Sequence, residues 1–372
     1  MSTTSNLAAT VAWLGFGLAF ILGALSSRTN FCTLGAVSDI VNMGDWNRMR
    51  MWLLAIAVAI IGAQSLHALG LIDLSKSFYP RPNFTWFSYI TGGLLFGVGM
   101  TLASGCGSRT LVRIGGGNLK SVVVLAFLGI SAYMSLKGLF AIWRVDFLDI
   151  WRIDFASHGI AAQDSGTLLA AMTGWGTSTS QKVVAGAIAL VLLIFVFKNA
   201  EFRRNRDGLL GGLAFGLAVV ASWYITAHIG FGENPDTLEN VFFGTNSKQA
   251  ESLTFIAPIA YSLELLMLWS DKSLMVTFGI ATTIGMILGS LAYALIAGKF
   301  RWEGFTNIDD MRNHIIGAVL MGLGGVTAMG CTIGQGISGM STLALGSLLA
   351  LVSMIGGCAA TVKYQYWRLM RE

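Results

Sequence analysis

Gly92-Gly-Leu-Leu-Phe-Gly-Val-Gly-Met-Thr-Leu-Ala-Ser-Gly-Cys106 returns 225 positions later as Gly317-Ala-Val-Leu-Met-Gly-Leu-Gly-Gly-Val-Thr-Ala-Met-Gly-Cys331. Aligned without a gap, the copies share Gly92/Gly317, Leu95/Leu320, Gly97/Gly322, Gly99/Gly324, Ala103/Ala328, Gly105/Gly330 and the cysteine. Chance rarely places seven identities in fifteen positions with that glycine spacing. The pattern predicts a duplicated membrane protein whose halves each bring a thiol to one central point.

Composition agrees with a membrane setting. The chain is 54% hydrophobic and 12% charged, with a mean hydropathy of +0.67. Soluble domains carry about 25% charged residues. Apolar stretches reach the roughly 20 residues that cross a bilayer core. No charge precedes Arg28, so the first stretch lacks the basic region of a signal peptide and reads as a retained span. There are 46 glycines and 4 prolines, as expected where helices approach closely. The net charge of +5 comes with no basic, aromatic-interleaved surface run, so no nucleic-acid partner is expected.

Helices are expected over about 8–25, 51–72, 86–104, 119–142, 181–198, 208–229, 253–269, 273–297, 312–330 and 343–361, with about nine full spans. Shorter apolar pieces after Asn30, Cys106 and Cys331 read as re-entrant half-helices. The basic run Lys198–Arg206 belongs in the cytoplasm by the positive-inside rule. The next loop, with Glu233, Asp236, Glu239 and Glu251 against Lys248, suits the outside. Lys363, Arg368 and Arg371 return the tail to the cytoplasm, and the uncharged N-terminus is expected outside.

The fold class is therefore all-α: a polytopic membrane protein, 1–372 as one transport domain. Two pseudo-symmetric repeat halves, about 8–142 and 208–361, would bring re-entrant half-helices to a central pore. Phe16-Gly-Leu-Ala and Phe215-Gly-Leu-Ala support the duplication. Asn30-Phe-Cys-Thr loosely parallels Thr254-Phe-Ile-Ala. Residues 143–181, rich in charge, read as an extramembrane insertion.

Candidate site residues follow from chemistry. Glycine breaks at Gly105, Gly107 and Gly330 free backbone amides, which attract anions at a half-helix N-terminus. Cys106 and Cys331 add weak donors and polarizable acceptors suited to a sulfur-containing ligand. Arg109 and Arg113 either draw anions toward the gap or mark a cytoplasmic helix end. Thr332 and Gln335 can supply polar contacts. Cys32, in a polar patch after the first span, joins the same pathway. Cys358 reads as an apolar filler. Lys137 and Glu264 fall in apolar stretches: the lysine pairs or snorkels, the glutamate pairs or relays a proton. His67 and His228 read as structural.

On these residues the chain resembles the YeeE/YedE family of thiosulfate-uptake transporters, over nearly its whole length. The resemblance implies an hourglass with loops dipping in from both faces. It places pathway cysteines at Cys32, Cys106 and Cys331, which would pass thiosulfate along by weak hydrogen bonds without covalent attachment. It also implies a small cytoplasmic sulfur carrier of the TusA type as partner. Gly-Ser-Arg after Cys106, where Thr-x-Gly is more familiar, and the 143–181 insertion depart from the family pattern.

The expected function is import of thiosulfate, or a close sulfur anion, across the cytoplasmic (cell inner) membrane, with no enzymatic activity, cofactor or metal. Rival readings are a membrane thiol oxidoreductase, which needs a reversible Cys106–Cys331 disulfide, and transport of sulfite, a selenium compound or a soft metal.

Overall fold

The computed structural model describes residues 2–235 and 237–371; Asp236, counted above with the acidic loop, lies outside the described residues. Helix makes up most of the chain, and its sheets are two short two-stranded ribbons. Helices α1 (Ser2–Thr29), α2 (Thr33–Met43) and α3 (Asn47–Ala68) precede a loop carrying β1 (Asn83–Phe84). Then come α4 (Trp86–Leu102), α5 (Gly107–Gly115) and α6 (Leu119–Lys137). α7 (Leu139–Trp143) follows, and the insertion then holds β2 (Ile153–Asp154) and α8 (Ser165–Thr173). Beyond it lie α9 (Thr177–Phe197), α10 (Ala200–Arg204), α11 (Arg206–Tyr224), α12 (Ile256–Met267), α13 (Phe278–Ile296), α14 (Ile308–Thr327) and α15 (Leu345–Leu369).

Among the described residues, eight helical stretches are long and apolar enough to cross a bilayer, one fewer than expected. Two of the ten expected stretches, 253–269 and 312–330, are not among the eight. Residues 250–255 are not helical, and only α12, 12 residues long, is. At 1.5 Å per residue such a helix covers about 18 Å, roughly half a bilayer core. α14 begins with Asp309, Asp310 and Arg312, too polar for that group of eight, and packs between α4 and α6.

Glycine contacts set the helix directions. On α1, Gly15 meets Phe278 of α13 and Gly23 meets Met286, so these helices run parallel. α3 and α11 also run parallel, through Gly212 against Leu54 and Gly216 against Ala55 and Val58. α4 and α14 cross antiparallel: Gly92 lies on Gly324, and Gly99 on Gly317. A Cβ at Gly99 would stand 2.6 Å from the Gly317 oxygen, and one at Gly324 2.6 Å from the Gly92 oxygen. Small residues that let backbones touch drive helix association where no water is squeezed out.

These directions gather the basic helix ends on one face. Arg28 reaches Asp207 at 3.4 Å, and Asn47 donates to Glu201 at 3.0 Å. Lys120 pairs with Asp310 at 2.8 Å and Glu303 at 3.6 Å. Near the other face, Lys137 Nζ donates to Glu264 Oε1 at 2.8 Å, as does the Tyr133 hydroxyl at 3.0 Å. This settles the pairing expectation for Lys137 and Glu264, and it pins α12 to α6. Lys137→Met leaves the buried Glu264 carboxylate with only Tyr133. The expected loss is about 2 kcal/mol, less than for a fully buried pair because Lys137 is half exposed. Thermal unfolding in detergent measures it, and Lys137→Met/Glu264→Leu should recover most of the loss.

Candidate functional site

Three loops are built alike. A residue in the left-handed region stands two positions before each candidate cysteine: Asn30 (φ 53°), Ser104 (φ 57°) and Met329 (φ 57°). None is glycine, and a left-handed non-glycine residue costs about 1–3 kcal/mol. In the last two loops the reversal closes on equivalent bonds, Gly105 N to Met100 O and Gly330 N to Gly325 O, both 2.8 Å. Cys32 and Cys106 then stand as N-caps of the short helices α2 and α5. Cys331 opens a helical turn that widens into a π-helical stretch, Gly334–Gly339.

The sulfurs are held differently. Cys32 Sγ accepts from Gly35 N at 3.4 Å, and Cys331 Sγ from Gly334 N at 3.4 Å. Cys106 Sγ makes no such cap and lies 3.3 Å from Ser108 Oγ. The first amides of α5 therefore lack a side-chain cap, leaving the positive end of that helix beside the thiol. Cys106 and Cys331 are buried, Cys32 is half-buried, and all four cysteines are free thiols.

The dip at 254–256 links two of the loops. Thr254 Oγ1 lies 3.9 Å from Cys331 Sγ, while Ile256 Cδ1 would stand 3.1 Å from a Cβ on Gly107. The Thr332 hydroxyl, fully buried beside Cys331, has no hydrogen-bond partner, and neither has that of Thr33 beside Cys32. Buried polar groups are nearly always paired, so unpartnered hydroxyls next to two thiols mark places where a ligand could bond. Gln335 is otherwise: its Nε2 donates to Ala328 O at 2.7 Å and its Oε1 accepts from Ser347 at 2.6 Å. Both ends are used in bracing the loop.

On the basic face, Cys32 lines a cavity of about 470 Å³ with Asn30, Gly35, Arg48, Arg109 and Arg113. A neighbouring cavity of about 450 Å³ shares both Arg109 and Arg113 and adds Lys299 and Arg301, with Lys120 beside its partners Glu303 and Asp310. Arg109 Nη2 donates to Asn30 Oδ1 at 3.2 Å. Among the described residues neither Arg109 nor Arg113 forms an ion pair, so their charge faces the cavities. Cys358 is buried between α15 and α4, where Thr101 Oγ1, itself a lining residue of the Cys32 cavity, donates to it at 3.4 Å.

Sequence reasoning passed over the left-handed residues, because Asn30, Ser104 and Met329 carry no glycine signal. It also passed over Tyr79 and Trp52, whose buried Oη and Nε1 are unpartnered.

Comparison with known proteins bears on this arrangement. The chain is 26% identical to the thiosulfate transporter TsuA of Spirochaeta thermophila over 355 residues, covering 93% of this chain and 96% of that one. It is 24% identical to the thiosulfate transporter TsuA of Escherichia coli over 361 residues, covering 95% and 94%. The pattern of the sulphur transport family matches residues 28–360. The protein is thus a multi-pass membrane transporter of sulfur compounds rather than an enzyme, and it belongs to the sulphur transport (YeeE/YedE) family.

Proposed function

We propose that the protein imports thiosulfate into the cytoplasm through a constriction lined by Cys32, Cys106 and Cys331. The observation that carries this reading is the repeated loop: a left-handed residue, one spacer, then a cysteine that opens a short helix. Each loop offers a weak S–H donor beside backbone amides. Weak bonds at successive sites let an anion enter and also leave. The relatives' names supply the substrate class.

The glycine contacts support two inverted halves forming one domain. Gly92 corresponds to Gly317 and Gly99 to Gly324, and each glycine touches the other's counterpart, as a pseudo-two-fold axis requires. Between the halves the insertion 143–181 is an addition. The positive-inside rule assigns the basic face to the cytoplasm of a cell inner membrane. The cavity at Cys32, Arg109 and Arg113 then becomes the exit, where a small TusA-like carrier would collect the sulfur anion.

Uptake of radiolabelled thiosulfate in cells lacking other sulfur importers tests the substrate. Unlabelled thiosulfate should compete fully, with sulfite and selenite competing poorly; full competition by sulfite alone would move the assignment to that anion. Arg109→Gln should lower uptake about three- to tenfold, the effect of one partly solvated charge. An unchanged rate would leave Arg109 as a helix-end residue.

A further inference from the structure

Tyr79 lies in the loop between α3 and α4, far from the sequence motifs, yet it is 2% exposed and its hydroxyl has no hydrogen-bond partner. Its backbone is fastened by the insertion. Gln163, 1% exposed, donates from Nε2 to Tyr79 O and from its backbone N to Pro80 O, both at 3.1 Å. The same residue accepts from Leu345 N on its backbone oxygen and from Gly346 N on Oε1, again at 3.1 Å. Ser165 N adds a bond to Leu343 O at 2.9 Å. The insertion is therefore a strap that ties the Tyr79 loop to the turn following the Cys331 segment.

The Tyr79 ring is fixed as well. It stacks near Phe78, with centroids 4.1 Å apart, and meets Trp223 edge-on at 6.1 Å. Trp223 in turn donates to Ser341 Oγ at 3.0 Å, on the Cys331 segment. A hydroxyl locked in this way, buried and unbonded, is costly unless something bonds to it. Burial, and after it the nearby Cys331 and Glu251, hold the phenol well above its ordinary value, so it keeps its proton and has it to donate. Glu251 is turned away to the Ser247 amide, 2.7 Å from Oε1.

We infer that the Tyr79 hydroxyl is a hydrogen-bond donor to the sulfur oxyanion on the far side of Cys331, positioned by the Gln163 strap. This rests on the cysteine passage proposed above and extends it by one site toward the face opposite the basic one. An oxyanion oxygen accepts from the phenol before its sulfur end reaches the thiol. The strap's second role is to keep that donor aimed when the site is empty.

Tyr79→Phe removes one oxygen and keeps the ring. Uptake of radiolabelled thiosulfate should show KM raised about tenfold at unchanged protein abundance, the effect of one bond to a charged group. The purified variant should melt at the same temperature as the parent or higher, because an unpaired hydroxyl has been deleted. An unchanged KM would overturn the inference. So would a lowered melting temperature, which would make the hydroxyl a structural group. Cys331→Ala run alongside separates the two readings. If it abolishes uptake while Tyr79→Phe is silent, only Tyr79 loses its role; if it transports normally, the passage fails and the donor site with it.

Discussion

Cys106→Ala should reduce thiosulfate uptake at least tenfold with normal protein levels in the membrane. Cys106 is 2% exposed and stands at the N-cap of α5 with no sulfur bond to a backbone amide, its Sγ contacting the Ser108 hydroxyl, so the thiol is held beside uncapped amides. An anion passing there has left water behind and depends on each donor it meets. A hydrogen bond to a charged group contributes about 1.5–3 kcal/mol, and each 1.4 kcal/mol is a factor of ten, so loss of the thiol spans roughly ten- to a hundredfold. Alanine fills the backbone position without strain, since Cys106 is extended at φ −79° and ψ 175°. Cys106→Ser keeps a donor of smaller radius and should fall between parent and alanine. Cys358→Ala is the control. That thiol is also buried, but it faces Thr101 in a helix contact, and its loss should leave the rate unchanged. Equal uptake by the Cys106 and Cys358 alanine variants would remove the thiol from the passage.

The membrane class, the two matching motifs and the short helices after Asn30 and Cys106 were legible because each rests on a local signal. Apolar length marks a span, and glycine repeats mark close backbones. Asn30-Phe-Cys-Thr and Thr254-Phe-Ile-Ala each lead into a short helix, as their loose parallel suggested, although only one carries a thiol. The α12 region was expected as one helix over 253–269, since hydropathy is blind to where the helix begins. Lys137 and Glu264 showed as costly charges, but their pairing is a contact across 127 positions that no local pattern encodes. Gln335, read from the sequence as a polar contact, is also tied into the loop through Ala328 and Ser347, partners that no local pattern encodes. Tyr79 gave no signal at all. Its role depends on an insertion that reads, residue by residue, as polar surface.

Gly99→Leu should abolish recovery of folded transporter, and Gly324→Leu should do the same. At both positions the obstacle is backbone, which cannot rotate aside as a side chain can. A Cβ on Gly99 would meet Gly317 O at 2.6 Å and Met321 N at 2.7 Å; one on Gly324 would meet Gly92 O at 2.6 Å. Extra methylenes in a packed core cost about 1–3 kcal/mol even where side chains yield. Here α4 and α14 must separate, and each leads directly into a cysteine loop, Ala103–Cys106 or Ala328–Cys331. Parting them moves both thiols off the proposed passage while opening a gap in a membrane interior that has no water to fill it. Gel filtration in detergent reads the result as loss of the monodisperse peak. Gly186→Leu on α9 meets nothing within 4 Å and should be recovered normally. Parent-like yield and uptake for Gly99→Leu would mean the α4–α14 crossing is not what holds the two cysteine loops together.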